Sequence, residues 1–483
     1  MKADYSNLLY NRVFINNEWI ECSGKFPVYN PASGEIISEV QNASESECLK
    51  AIIAASYAFD AWSRAIAKER ATILKKWYHL IIQNTNELAA LLTAEQGKPF
   101  SEAKGEVHYG ASFVEWYAEE CRRTYGETIP SPVAKKRLLT IKQPIGVVAA
   151  ITPWNFPVAM ITRKIAPALA AGCTVILKPA EDTPLCALAL AHLGMEAGLP
   201  AGVLNVIPTS NPIAIGKMLT SHPAIKKISF TGSTEVGKVL MQQCASTVKK
   251  LSLELGGNAP VIIFDDADVD LAVKGTLASK YRNAGQTCVC ANRIFVQRSI
   301  YASFIEKYKH SVAGLKVGNG TVDDNEIGPL INEEGINKVK RLLYDATEKG
   351  AEVIIGGQQH EAGDLFFQPT IISNCTEEML LSKEEIFGPV SAVYLFDSEE
   401  EAIQLANTTE YGLAAYFFSN DVNRCWRLAE QLQYGIIGIN EGLISHAEAP
   451  FGGVKESGFG KEGSHYGIEE YMDTKYICFG GSF

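Results

Sequence analysis

Val147-Val-Ala-Ala-Ile-Thr-Pro-Trp-Asn-Phe-Pro157 opens the region that decides the fold. The apolar run Val147–Ile151 has the length and branching of a buried strand, and the stretch behind it reads as an apolar helix ending at Gly172. Thr174-Val-Ile-Leu177 repeats the strand, a helix follows from about Pro184 to Ala197, and Val203–Ile207 repeats it again. A short helix near Ile213–Leu219, the run Lys227–Phe230, a helix after Ser233 and Leu251–Leu255 continue the series. Alternation of this kind builds a parallel, doubly wound sheet. A second α/β series starts at Val261-Ile-Ile-Phe264, with strands at Arg293–Val296, Val353–Ile355, Ala392–Phe396, Ala415–Phe418 and Ile436–Ile439.

Upstream, residues 12–40 alternate apolar runs with Asn-Asn, Ser-Gly and Asn-Pro-Ala-Ser-Gly turns, the pattern of hairpins. Helices are expected over Ser44–Ala61, over Lys68–Gln96 with Gly97-Lys-Pro99 as the stop, and from Ser101 past Tyr117. Residues 125–144 return to extended character and read as an arm leaving the body. No internal repeat or low-complexity linker interrupts the chain.

A chain of 483 residues exceeds what one core supports and should divide into two or three domains. The charge balance, 44 − 55 = −11, excludes the basic stripe that nucleic acid or an anionic membrane surface requires. Any acidic ligand must be held by local cations. Met1-Lys-Ala-Asp-Tyr-Ser6 has no apolar core of a signal peptide, which places the protein in the cytoplasm. The apolar span Val147–Leu177 is broken by Pro153, Asn155, Pro157, Arg163 and Lys164, so it reads as buried core and not as a membrane span. The 11 cysteines read as reduced thiols, and with no Cys-x-x-Cys and scattered histidines no metal spacing appears.

Two motifs fail on inspection. Gly232-Ser-Thr-Glu-Val-Gly-Lys-Val239 has phosphate-loop spacing but puts Val239 where a hydroxyl must hold magnesium. Gly458-Phe-Gly-Lys-Glu-Gly463 has dinucleotide spacing but follows a polar loop, so it reads as a glycine-rich loop. No G-x-S-x-G elbow is present, which argues against a serine hydrolase.

Tyr281-Arg-Asn-Ala-Gly-Gln-Thr-Cys-Val-Cys-Ala-Asn-Arg293 sets a thiol between a glycine turn and a strand. A reactive Cys288 should sit where polar groups stabilise a thiolate; alternatively it is one more small buried side chain. Read together with Pro153-Trp-Asn-Phe-Pro157, Lys178-Pro-Ala-Glu181, Phe230-Thr-Gly-Ser-Thr234, Leu253-Glu-Leu-Gly-Gly257 and Glu385-Ile-Phe-Gly-Pro389, this stretch resembles the aldehyde dehydrogenase superfamily. The resemblance covers essentially the whole chain. It implies an α/β fold of two doubly wound domains plus a small β oligomerisation arm. Residues 1–124 and 145–256 would form the NAD(P)-binding domain, 257–455 the catalytic domain, and 125–144 with 456–483 the arm and tail. It further implies a homo-dimer or homo-tetramer.

The chemistry of aldehyde oxidation asks for a nucleophile, an oxyanion site and a base for hydrolysis. The resemblance assigns these to Cys288, to the amide of Asn155 with the Cys288 N–H, and to Glu254. Asn155 between two prolines also fits a simple turn. Glu254 is an acid among strand leucines, which an edge charge would not explain. For the cofactor, Gly232 and Ser233 stand where a strand meets a helix, a place suited to phosphate. Lys178 and Glu181 would hold the adenosine ribose, Glu385 and Phe387 the nicotinamide end, and Trp154 the cofactor beside them. Glu181 favours NAD over NADP by its charge, with NADP left open.

Within the superfamily the resemblance is to the succinate semialdehyde dehydrogenases. It is carried by Met160-Ile-Thr-Arg-Lys164, the Cys288 stretch, and Gly442-Leu-Ile-Ser445 leading to Pro450-Phe-Gly-Gly-Val-Lys-Glu-Ser-Gly458. It implies that Arg163, Arg282 and Ser445 bind the far carboxylate of a small aldehyde substrate, a task that suits the guanidinium fork. It also implies that Cys290 is a redox partner of Cys288, while packing beneath the loop explains Cys290 equally well. Glutarate semialdehyde as substrate, coenzyme A as acyl acceptor, and an idle binding protein on the same scaffold are the rival readings. Glu254 argues for water as acceptor, and the presence of all three catalytic residues argues against the idle scaffold.

Overall fold

Two parallel sheets face each other end to end in the computed structural model, which describes residues 4–481. Residues 1–3 and 482–483, the outer ends of the first and last expected segments, lie outside the described residues; Met1, Lys2 and Ala3 of the N-terminal signal reading are among them.

The first sheet runs, edge to edge, Gly458–Phe459, Lys250–Glu254, Ile225–Thr231, Val147–Ile151, Thr174–Lys178, Leu204–Val206, Val13–Ile15, Glu18–Ile20. Its five central strands are parallel and the flanking ones antiparallel. Successive side chains of Val147–Ile151 enter opposite cores: Val148 and Ala150 one, Val147, Ala149 and Ile151 the other. That two-sided burial is why these strands are apolar throughout and not alternating. The second sheet runs Glu352–Ile355, Thr370–Ser373, Val390–Phe396, Ala291–Gln297, Ala259–Ile263, Ala414–Phe418, Ile436–Ile439, parallel except for its first pair. The strand at Thr370–Ser373 is not among those expected.

The helices follow their local signals. Ser44 and Glu47 form a reciprocal capping box at the start of Glu45–Arg64. The helix expected over Lys68–Gln96 is two helices, Ala67–Gln83 and Thr85–Gln96. Asn84 interrupts it, its Nδ2 donating to the Leu80 carbonyl at 2.8 Å in competition with the helical ladder.

Thr128–Ile129, Lys136–Pro144 and Met472–Gly480 form an antiparallel three-stranded arm. Among the described residues of 456–483, only this last strand joins the arm. Gly458–Phe459, in the stretch expected to be a loop, pairs with Lys250–Glu254, and the helix Ser464–Glu469 packs on helices Phe100–Glu120 and Ala159–Ala171.

In the first sheet the chain order reverses at Val147–Ile151, which has Thr174–Lys178 on one side and Ile225–Thr231 on the other. A crevice opens beyond the carboxyl ends of strands at such a point. Asn155, Gly232 and Gly256 follow those ends directly. The second sheet presents its amino ends: Gly257 precedes Ala259–Ile263, Cys288 precedes Ala291–Gln297, and Phe387 precedes Val390–Phe396. No helix among the described residues is long and apolar enough to cross a membrane.

Candidate active site

Where the two sets of strand ends meet lies a cleft of about 380 Å³ lined by residues from both, among them Trp154, Asn155, Gly232, Ser233, Cys288 and Glu385. Cys288 is partly exposed to it. The loop before it carries three consecutive left-handed residues, Asn283 (φ 52), Ala284 (φ 54) and Gly285 (φ 76). Strained backbone persists where the surroundings over-determine it. Here Gln286 supplies the constraint: its amide donates to Asn283 O at 3.1 Å and Pro329 O at 3.3 Å and accepts from Ile331 N at 3.0 Å.

Asn155 Nδ2 donates to Gln286 O at 3.0 Å. Its second hydrogen and the Cys288 N–H are engaged by no other described residue. The carbonyl of Asn155 is held by Lys98 Nζ at 2.8 Å and Asn283 Nδ2 at 2.9 Å. Lys98 in turn pairs with Glu106 at 2.5 Å, and Glu106 caps Val158 N at 2.8 Å. This wholly buried pair fixes the Pro153–Pro157 turn, and nothing in its spacing marks it in the sequence.

Glu254 is 2% exposed, and neither carboxylate oxygen has a hydrogen-bond partner. Burial, and then the charge of Glu462, push it well above the ordinary carboxylate range. Cys288 departs from the expected thiolate-stabilising setting: burial pushes its thiol up to about 12, and Arg163 offsets only part of that. Desolvation outweighs the nearby cations. Cys290 is buried and its thiol turns to the Lys280 carbonyl at 3.4 Å; both cysteines are free.

On the cofactor side, Ser233 caps the helix Thr234–Cys244 at the cleft. Phe387 adopts a left-handed backbone (φ 55) and meets Trp154 edge to face at 5.5 Å. Glu385 accepts from Gly257 N at 3.3 Å and is pushed up to about 7 by burial. Thr231 Oγ1 is buried without a partner. An unsatisfied hydroxyl, a helix N-terminus and an aromatic wall fit a dinucleotide. Lys178 and Glu181 lie outside this lining, ion-paired at 3.0 Å at the end of the neighbouring strand. Asp182 beside them is pushed up to about 6 by burial, Glu181 and Glu334. Glu334 and Lys338, from the helix Glu333–Glu348, line the cleft and carry no motif.

Arg163, Arg282 and Ser445 gather around the buried hydroxyl of Tyr109, which Arg163 and Ser445 approach without a well-aligned hydrogen bond. Arg282 stacks over Phe156 at 5.3 Å with its Nε unpartnered. Arg163 is 1% exposed, ion-paired to Glu462 through Nε, and stacked on Phe451 at 4.1 Å. Tyr109 and Glu462 are the residues that sequence reading missed here. Among the described residues no cluster of His, Cys, Asp or Glu could hold a metal ion.

A partly exposed cysteine and, near it, a buried carboxylate without hydrogen-bond partners suit a covalent oxidoreductase, and the chain matches the aldehyde dehydrogenase family over residues 19–477. It belongs to that family and is an NAD(P)-dependent enzyme acting on aldehydes. It is 55% identical over 99% of its length to the whole of the Escherichia coli (strain K12) protein named succinate-semialdehyde dehydrogenase, NADP(+), GabD. It is 54% identical to the 3-sulfolactaldehyde dehydrogenase of Pseudomonas putida, over 98% of each chain. The crystal structure of succinate-semialdehyde dehydrogenase from Burkholderia pseudomallei superposes with a TM-score of 0.98 at 53% identity, covering 99% of each chain.

Gly257 lets the end of the Glu254 strand lie against Cys288, since a Cβ there would come within 2.4 Å of the Cys288 carbonyl oxygen. Backbone cannot yield to that overlap. Gly257→Val should therefore displace the nucleophile and lower kcat by about 10²-fold or more, as an ångström of misplacement does. Circular dichroism should be retained, and a variant with wild-type kcat would show the approach to be dispensable.

Proposed function

We propose that the protein oxidises succinate semialdehyde, or a near ω-carboxy aldehyde, to the acid, with water as acyl acceptor and NAD as preferred cofactor. The observation behind this reading is Arg282, whose charge acts on Cys288 and whose Nε is buried without a partner, beside the hydroxyls of Tyr109 and Ser445. A four-carbon chain with an anion at its far end would put its aldehyde at the thiol.

In this reading the thiol proton passes to Glu254, whose raised pKa makes it a competent acceptor, and thence to solvent. The Cys288 sulfur attacks the aldehyde carbon and the carbonyl π pair moves to oxygen. Asn155 Nδ2 and the Cys288 N–H stabilise that oxyanion in the thiohemiacetal. Trp154, Gly232, Ser233, Glu385 and Phe387 would hold the nicotinamide cofactor, which would supply the hydride acceptor. Collapse leaves a thioester on Cys288. Glu254 then takes a proton from water, hydroxide attacks the acyl carbon, and the thiolate leaves.

Glu181, Asp182 and Glu334 place negative charge where Lys178 and Glu181 would hold the adenosine ribose. A 2′-hydroxyl can donate to a carboxylate, whereas a 2′-phosphate meets repulsion. A second reading, a sulfonate in place of the carboxylate, is favoured by the 3-sulfolactaldehyde dehydrogenase relative, because a guanidinium donates equally well to either anion. Assembly into a homo-oligomer is supported by half-exposed Tyr476 and Phe479 on the arm and by the open edge strand Ile436–Ile439.

Four outcomes test the reading. Glu254→Gln should release a first equivalent of NADH and then stall, with steady-state turnover down about 10²- to 10⁴-fold. Unchanged turnover would remove Glu254 from the base role. Because burial and Glu462 raise Glu254, and only its ionised form works, acyl-enzyme hydrolysis in the wild type should fail as pH falls through a value well above the usual 4.5. Arg282→Ala should raise KM for succinate semialdehyde and leave butanal nearly untouched; equal losses would make the arginine structural. In the same assays kcat/KM should be higher with NAD than with NADP, and Glu181→Ser should narrow the gap.

A further inference from the structure

Glu462 takes no part in the chemistry above, yet it is ion-paired to two buried cations beside it. Its side chain is 3% exposed and its two oxygens are divided between two buried cations, Oε1 holding Lys164 Nζ at 2.6 Å and Oε2 holding Arg163 Nε. Its backbone is bridged to Phe451, with Phe451 N donating to Glu462 O at 2.7 Å and Glu462 N to Phe451 O at 2.8 Å. Phe451 covers the face of the Arg163 guanidinium. The next residue, Gly452, lies against the base, where a Cβ would stand 2.9 Å from Glu254 Oε1. One short bridge therefore fixes both the arginine of the substrate anion and the wall beside the general base.

We propose that Glu462 is a positioning residue that couples recognition of the substrate's far anion to the basicity of Glu254. By holding Nε it leaves the outer nitrogens of Arg163 directed toward Tyr109 and Met160, on the substrate side. Its charge, balanced by Arg163 and Lys164, sets the field in which Glu254 ionises. The charged and titratable groups facing Glu254 are Glu462, Arg163, Lys164, Lys461 and Cys288. Those facing Glu462 are Lys164, Arg163, Glu254 and the phenols of Tyr117 and Tyr471. Burial pushes Glu462 up, but Lys164 and Arg163 outweigh it and hold the group below the usual carboxylate range, so it is ionised at neutral pH. The inference rests on the carboxylate-binding reading of Arg163.

An amide cannot reproduce this arrangement. Gln offers one accepting oxygen and one donating nitrogen, so either Arg163 or Lys164 must face an N–H. The test compares full-length wild type, Glu462→Gln and Arg163→Gln. Two quantities are read: the pH profile of acyl-enzyme hydrolysis after the NADH burst with butanal, and the ratio of kcat/KM for succinate semialdehyde to that for butanal. Removing the negative neighbour in Glu462→Gln should move the acid limb down by about 1 pH unit. Removing the positive one in Arg163→Gln should move it up. Both variants should lose about tenfold or more of the preference for the carboxylated aldehyde, of the order that one charge-assisted hydrogen bond supplies. A purely structural role would lower both aldehydes alike and leave the limb in place, which would overturn the proposal, as would movement of only one of the two quantities. If Glu462→Gln does not fold, the upward limb and lost preference in Arg163→Gln decide alone. Absence of any wild-type preference for succinate semialdehyde would overturn the substrate reading instead, while the butanal limb would still report whether Glu462 tunes Glu254.

Discussion

The carbonyl of Cys288 packs directly on Gly257, and the rest of the site depends on that backbone contact. It joins the carboxyl end of the Lys250–Glu254 strand in one sheet to the amino end of the Ala291–Gln297 strand in the other. A side chain of any size between them would separate the thiol from Glu254. The same approach brings Glu385 to the Gly257 N–H, so the cofactor side is referenced to the same point. Reaction geometry is thus built into main chain, the least adjustable part of a protein, and side chains are hung from it.

Desolvation is the second organising effect. Taking charges out of water is costly unless they are paired, and most buried ions here are paired: Lys98 with Glu106, and Arg163 and Lys164 with Glu462. Glu254 contrasts with them, buried with no hydrogen-bond partner on either oxygen. In the mechanism proposed above, that leaves Glu254 open to a proton and to water. Burial acts on the thiol too, pushing it up. In such a water-poor pocket, preorganised donors to an oxyanion are worth more than in solvent.

In the function proposed above, charge would divide the labour of recognition around the cleft. Toward the cofactor, Glu181, Asp182 and Glu334 gather negative charge, with Lys178 neutralised by Glu181. Toward the substrate, Arg282 keeps an unpartnered donor while Arg163 is shared with Glu462. The net charge of −11 makes such local cations the means by which an acidic substrate can be held at all.

Strands that are apolar through and through, glycine turns and a thiol in a strained loop are local properties, and the sequence by itself determined them: the doubly wound series, the Cys288 loop and the acid at Glu254 are readable because each depends on neighbours a few residues away. Helix breaking at Asn84 was missed because a side chain there competes with its own backbone, a contest that spacing does not reveal. What only the tertiary structure decided are the pairings over long separations. Glu462 meets Lys164 across 298 residues, from a segment that reads as a glycine-rich loop, and Lys98 reaches the carbonyl of Asn155 across 57. The sign of the thiol's shift belongs to the same class. Motif chemistry predicts a stabilised thiolate, but the pKa follows from how much water the assembled walls exclude, and those walls come from both sheets at once.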